Sequence, residues 1–215
     1  MPQNRILNII DQARMVAILR GDYLDTCTEV ASVLAAAGVE ALEVSLTSPR
    51  ALDIIERLVK HVGDTIAIGA GTVLNAQAVQ QVFDRGAQFV LSPNLKDEVV
   101  TATLKHDLIS FPGAYTPSEI VHASELGAHA VKVFPAATLG PKFIRAILAP
   151  CPALKLIPTG GVGIDDIPLY LKAGAWAVAV SSEMISAPPA NDAEMKQLST
   201  RASAFAAAAR GADVA

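Results

Sequence analysis

The chain has 215 residues, 52% hydrophobic and 18% charged, with aromatics at only 5% and a formal net charge of −4. Such a chain supports one well-buried core, built mainly from Ala, Val, Leu and Ile, and is not intrinsically disordered. The absence of any Lys/Arg run excludes a nucleic-acid partner, and every apolar stretch is broken by Gly, Pro or charge before it reaches membrane-spanning length.

In chain order, Met1–Gln12 reads as an extra N-terminal helix. It lacks the basic start and apolar run of a signal peptide, so a cytoplasmic location is expected. Strands and helices then alternate: strand Met15–Leu19, helix Thr26–Ala37, strand Ala41–Ser45, helix Pro49–Val62, strand Thr65–Ile68 and helix Ala76–Arg85. Strand Gln88–Leu91, helix Lys96–His106, strand Leu108–Phe111 and helix Pro117–Leu126 follow. The series ends with strand Ala130–Phe134, helix Pro141–Leu148, strand Lys155–Ile157, helix Asp166–Ala173, strand Ala177–Val180 and a closing helix over Asn191–Arg210.

The punctuation supports this reading. Pro49, Pro117 and Pro141 suit a first helical turn, and Gly38, Gly86, Gly127 and Gly174 each suit a helix end. The phrases A-G-V-E-A-L-E-V, R-G-A-Q-F-V-L, L-G-A-H-A-V-K-V and A-G-A-W-A-V-A-V repeat one helix-end, glycine, strand unit. Eight strands alternating with helices predict an α/β chain, a single-domain (β/α)8 TIM barrel spanning residues 1–215. The alternative is an open doubly wound sheet, but Arg20–Asp22 lacks the glycine fingerprint of that fold's first turn.

Active sites of such barrels lie at the C-terminal ends of the strands. That rule selects Arg20, Glu43, Ser45, Thr47, Gly69–Thr72, Ser92–Asn94, Pro112–Gly113, Lys132, Thr159–Gly161 and Ser181–Ser182. Lys132 stands out because it interrupts the apolar strand A-V-K-V-F. A barrel strand is buried on both faces, and desolvation favours a neutral amine, the form that attacks a carbonyl. A lysine snorkelling from a strand edge is the alternative. Glu43 interrupts A-L-E-V-S-L in the same way and suits a proton shuttle, or else a structural ion pair with Lys132. Gly160 and Gly161 in P-T-G-G-V, with Ser182 after the next strand, suit a phosphate site; a pair of tight turns is the alternative. His61, His106, His122 and His129 show no metal-ligand spacing and read as surface residues. Trp176 reads as packing, and Cys27 and Cys151 as reduced thiols.

The pieces L-E-V-S-L, I-G-A-G-T-V-L, F-V-L-S-P-N, F-P-G-A-Y-T-P-S-E, K-V-F-P-A and P-T-G-G-V, in this order between Met15 and Met184, resemble the 2-keto-3-deoxy-6-phosphogluconate (KDPG) / 4-hydroxy-2-oxoglutarate aldolase family. The resemblance implies a class I aldolase, a carbon–carbon lyase of Entner–Doudoroff-type carbohydrate metabolism. It would cleave a 2-keto-3-deoxy-6-phospho sugar acid to pyruvate and glyceraldehyde 3-phosphate. It implies that Lys132 forms the imine with pyruvate and Glu43 handles protons. Thr72, Pro93 and Thr159 would line the pyruvate end with Phe134 nearby, and Gly160, Gly161 and Ser182 would hold the phosphate. A homotrimer needing neither metal nor cofactor is implied as well.

Two departures bear on the substrate. Gluconate-type members carry an arginine where this chain has Thr47; Arg20 in A-I-L-R-G can supply that cation, as in the 2-keto-3-deoxy-6-phosphogalactonate (KDPGal) branch. Ser181 stands where glycine is common, and its side chain would either crowd the phosphate or add a donor. An aldolase for an unphosphorylated keto acid, and a non-catalytic phosphate-binding barrel, are the competing readings. A binding module has no need of both Lys132 and Glu43.

Overall fold

The computed structural model describes residues 2–211. Met1 of the expected N-terminal helix and residues 212–215 of the expected domain lie outside the described residues. Helix α1 (Pro2–Ala13) leads into β1 (Met15–Leu19), α2 (Cys27–Ala36), β2 (Ala41–Ser45), α3 (Ala51–Val62), β3 (Ala67–Gly71), α4 (Ala76–Asp84), β4 (Phe89–Leu91) and α5 (Asp97–Lys105). There follow β5 (Ile109–Phe111), β6 (Gly113–Ala114), α6 (Pro117–Glu125), β7 (Val131–Val133), a 3-10 turn (Ala136–Thr138) and α7 (Gly140–Leu148). The chain continues through β8 (Leu156–Pro158), α8 (Ile167–Lys172), β9 (Val178–Val180) and α9 (Asp192–Arg210).

Every strand pairing is parallel, in the orders β5-β4-β3-β2-β1-β9 and β6-β7-β8. The two arcs join twice. Only Pro112 separates β5 from β6, and Thr159 bridges to Ala179 between β8 and β9. The last strand therefore returns to the first, and the sheet curls into a barrel-like ring. The expected fifth strand, Leu108–Phe111, appears as β5, and the chain resumes as β6 after Pro112, which has no N–H to give the ladder.

His129 is part of that strand's edge, contrary to its reading as a surface residue. Its Nδ1 accepts the Ser110 N–H (3.2 Å), and its own N–H donates to the Ser110 carbonyl (3.0 Å). Burial, with the Lys155 charge second, pushes its pKa down, which suits a ring nitrogen that accepts. Trp176 packs as expected. It lies beside Phe111 and donates from Nε1 to Asp11 Oδ1 (2.5 Å).

Two further boundaries moved. The third strand runs over Ala67–Gly71, not Thr65–Ile68. Thr65 and Ile66 still bond back to the Val62 carbonyl, and two glycines disguised the strand. Pro49 precedes the first turn of α3 instead of opening it, since Arg50 adopts a left-handed φ of 53° and the helix starts at Ala51. Pro117 does open α6, where Thr116 and Glu119 form a capping box worth about 1 kcal/mol. Gly38, Gly86, Gly127 and Gly174 all take positive φ after their helices, as the repeated phrase predicts.

The residue-by-residue alternation of a strand sorts the ring into two cores. Met15, Ala17, Leu19, Val44, Ile68, Val131, Val133 and Val178 face the helices. Val16, Ile18, Ala41, Phe89, Phe111, Ile157, Ala177 and Ala179 fill the interior, which Ile6 and Ile10 of α1 close at the strands' N-terminal end. Following the interior face toward the other end leads to Glu43, Ser45, Gly71, Lys132 and Thr159.

Candidate active site

Lys132 is the centre of β7, held between Gly113 of β6 and Ile157 of β8. Val131 and Val133 belong to the helix-facing core, so the lysine takes the opposite, interior face. It is only 6% exposed. Its Nζ stands 5.2 Å from the centre of the Phe134 ring, close enough for the ring face to favour a positive charge there.

Glu43 projects from β2 and is 1% exposed. Its carboxyl fills the space that a side chain at Gly71 would need. Oε2 is enclosed and has no hydrogen-bond partner among the described residues. Burial raises its pKa, while the charges of Lys132 and then Arg20 pull it back down. A carboxyl so placed is held more readily in its protonated form than an exposed one. We predict that Gly71→Ala, which displaces this carboxyl, lowers kcat about 100-fold with the circular dichroism spectrum unchanged.

Beside Glu43 lies a group of hydroxyls. Ser45 Oγ meets Thr47 Oγ1 at 2.8 Å and Thr72 Oγ1 at 3.0 Å. Thr72 adopts a left-handed φ of 59°, which for a β-branched residue costs about 1–3 kcal/mol. Flanking ladder bonds hold it there: the Leu46 N–H donates to the Gly71 carbonyl (2.8 Å), and the Val73 N–H to the Leu91 carbonyl (3.2 Å).

On the far side, Gly160 and Gly161 both take left-handed φ, at 90° and 68°. A Cβ on Gly160 would press on the Phe134 ring (2.9 Å), and one on Gly161 on Ala137 (2.7 Å). Thr159 is buried, and its hydroxyl donates to the Ile157 carbonyl (3.0 Å). Half-buried Ser181 follows β9, and its carbonyl accepts from the N–H groups of Met184 (2.9 Å) and Ile185 (2.8 Å). Ser182 is exposed, with its hydroxyl 3.5 Å from Glu183 Oε2.

Half-buried Pro93 follows β4, and its backbone lies against Gly113, where a Cβ would collide with it. Arg20 follows β1 and is exposed; among the described residues it forms no ion pair within 4.0 Å. Its loop is fixed by the Gly21 N–H donating to Ser48 Oγ (3.0 Å) and by the Arg50–Asp22 ion pair (2.7 Å).

All the sequence-selected residues thus fall at one end of the ring, with Lys132 and Glu43 inside it. Gly71 as the socket for Glu43, and the linkage of Ser45, Thr47 and Thr72, were not legible as such. The strand-end rule names these positions without saying which touch. Among the described residues, no three His, Cys, Asp or Glu side chains gather as a metal would need, and no helix is long and apolar enough to cross a membrane.

The chain is 32% identical to the 2-dehydro-3-deoxy-6-phosphogalactonate aldolase of Escherichia coli K12 over 174 residues, covering 80% of this chain and 85% of the relative. A solved native KDPGal structure superposes with a TM-score of 0.86 at 31% identity, over 92% of this chain and 95% of that one. The KDPG aldolase of Legionella pneumophila, solved with pyruvate captured as a covalent carbinolamine, gives 0.78 at 26% identity over 99% and 98%. The model of the KDPG and KHG aldolase family matches residues 6–200, and the chain belongs to that family.

Proposed function

We propose that the chain is a class I aldolase that cleaves a 2-keto-3-deoxy-6-phospho sugar acid to pyruvate and glyceraldehyde 3-phosphate. The observation that carries this reading is a buried lysine and a buried carboxylate, one of whose oxygens has no hydrogen-bond partner among the described residues, inside one end of the barrel. The Lys132 amine attacks the C2 ketone, and loss of water leaves a protonated imine. Glu43, through a water, takes the proton of the C4 hydroxyl. The C3–C4 bond then breaks, its electron pair moves toward the imine nitrogen, and the aldehyde leaves. Glu43 returns a proton to C3 of the resulting enamine, and hydrolysis of the imine frees pyruvate and Lys132.

Around this pair, Thr72, Pro93, Phe134 and Thr159 form the pyruvate end. The backbone of Gly160, Gly161 and Ser182, with the Ser181 side chain, takes the phosphate. Arg20 grips the carboxylate, since its planar fork matches two oxygens and no carboxylate among the described residues occupies it. We predict that Arg20→Ala weakens binding by about 1.5–3 kcal/mol, roughly 10- to 100-fold in KM, with a smaller effect on kcat. Steady-state kinetics on both products check this.

The reading covers residues 1–215 as one (β/α)8 domain with α1 as an added N-terminal helix. It takes the protein as a cytoplasmic homotrimer using no metal or cofactor, in keeping with the family resemblance. A pyruvate-release assay with the gluconate and galactonate epimers, run in EDTA, tests it. Turnover of either epimer supports the reading; activity lost in EDTA and restored by a divalent metal overturns it. A second reading, cleavage of unphosphorylated 4-hydroxy-2-oxoglutarate, is favoured by the Glu183 carboxylate beside the proposed phosphate loop. Equal turnover with and without the 6-phosphate would select it.

A further inference from the structure

At this end of the barrel the Ser45 hydroxyl is fully buried and yet tied to two other hydroxyls. It is 0% exposed, so substrate cannot touch it. It sits between Thr47 Oγ1 (2.8 Å) and Thr72 Oγ1 (3.0 Å), and it also accepts a long bond from the Thr47 N–H (3.4 Å). A serine hydroxyl has one proton and two lone pairs. With one lone pair engaged by the amide, one donor and one acceptor remain for two threonines. The chain must therefore run in one direction, either Thr47 to Ser45 to Thr72 or the reverse.

Only the first direction leaves the Thr72 proton free. In that order Ser45 donates to Thr72, which must then turn its own O–H elsewhere. An ionised carboxylate is an acceptor only, so the α-keto acid end of a substrate selects this order. We infer that Ser45 is a positioning residue that commits the Thr72 hydroxyl to donate to the substrate carboxylate, with Thr47 setting the direction of the chain. This rests on the aldolase reading above and deepens it. The left-handed backbone of Thr72 fits the same role, because it fixes where that hydroxyl originates. Chained hydroxyls polarise one another, so the terminal donor is also strengthened.

The test is a double-mutant cycle read by borohydride trapping of pyruvate on the intact protein, followed by mass spectrometry. Wild type, Ser45→Ala, Thr72→Val and the double variant are titrated with pyruvate. Each single change is expected to raise the half-saturating pyruvate concentration roughly 3- to 10-fold, with full trapping still reached at saturation. The double variant is expected to match Thr72→Val alone, because Ser45 acts only through that hydroxyl. Ser45→Thr, which keeps the donor, should stay close to wild type. Should Ser45→Ala fail to fold, Ser45→Cys replaces it, with a weak donor in nearly the same volume. Losses that add in the double variant, or a folded Ser45→Ala or Ser45→Cys variant with unchanged half-saturation, overturn the inference alone. A wild type that traps no pyruvate overturns the aldolase reading, and this inference with it.

Discussion

Lys132→Met is expected to lower pyruvate release by on the order of 10⁴- to 10⁶-fold, the scale seen when a covalent nucleophile is removed. The side chain is nearly enclosed, and its strand neighbours face the helix layer, so methionine fits the same space without a new cavity. Loss of activity with an unchanged melting temperature would therefore report chemistry, not folding. Borohydride added with pyruvate should trap one covalent adduct on the wild type. Peptide mapping should place it at Lys132, and Lys132→Met should show none. An adduct on another lysine, such as Lys155 above the Trp176 ring (4.8 Å), would remove Lys132 from the role given to it here.

Glu43→Gln is expected to lower kcat by roughly 10²- to 10⁴-fold, the range for a lost general acid–base, while pyruvate trapping on Lys132 survives more nearly intact. Stability should move the opposite way. Burial raises the Glu43 pKa above its unfolded value, with Lys132 and Arg20 only partly offsetting this. The folded state therefore binds the proton more tightly than the unfolded one. The contribution is fully present below the ordinary carboxylate pKa and is lost as pH rises through the raised one. Glutamine carries no charge to desolvate. The variant should thus melt above wild type at neutral pH, and the gap should close in acid. Thermal melts across that range check the sign. A variant that melts lower at neutral pH would mean that the attraction of the Lys132 and Arg20 charges outweighs the burial cost.

Much of this fold was readable in the chain because its signals are local. A helix-ending glycine before each of four strands, and a proline behind Thr116, depend only on allowed backbone angles and on caps. The elements that escaped are those where a distant partner overrode local preference. Gly69 and Gly71 are poor strand formers, yet they lie in β3 because the Phe89 ring and the Glu43 carboxyl occupy the space their side chains would take. His129 looked like a surface residue because nothing nearby in sequence hints that it completes the edge of β5 across a gap of 19 residues.

The same division runs through the site. The sequence by itself determined that a lysine and a glutamate interrupt apolar strands, that glycines and serines follow the last two, and that a family's motifs stand in order. Charges in apolar strands are costly, and that cost makes them visible without coordinates. The tertiary structure alone decided that Glu43 rests against Gly71 with one oxygen unpartnered, and that Ser45 joins Thr47 to Thr72. It also decided that Arg20 stands open beside them. Those are relations between strands, set by register and the curl of the sheet, and no spacing along the chain encodes which hydroxyl meets which.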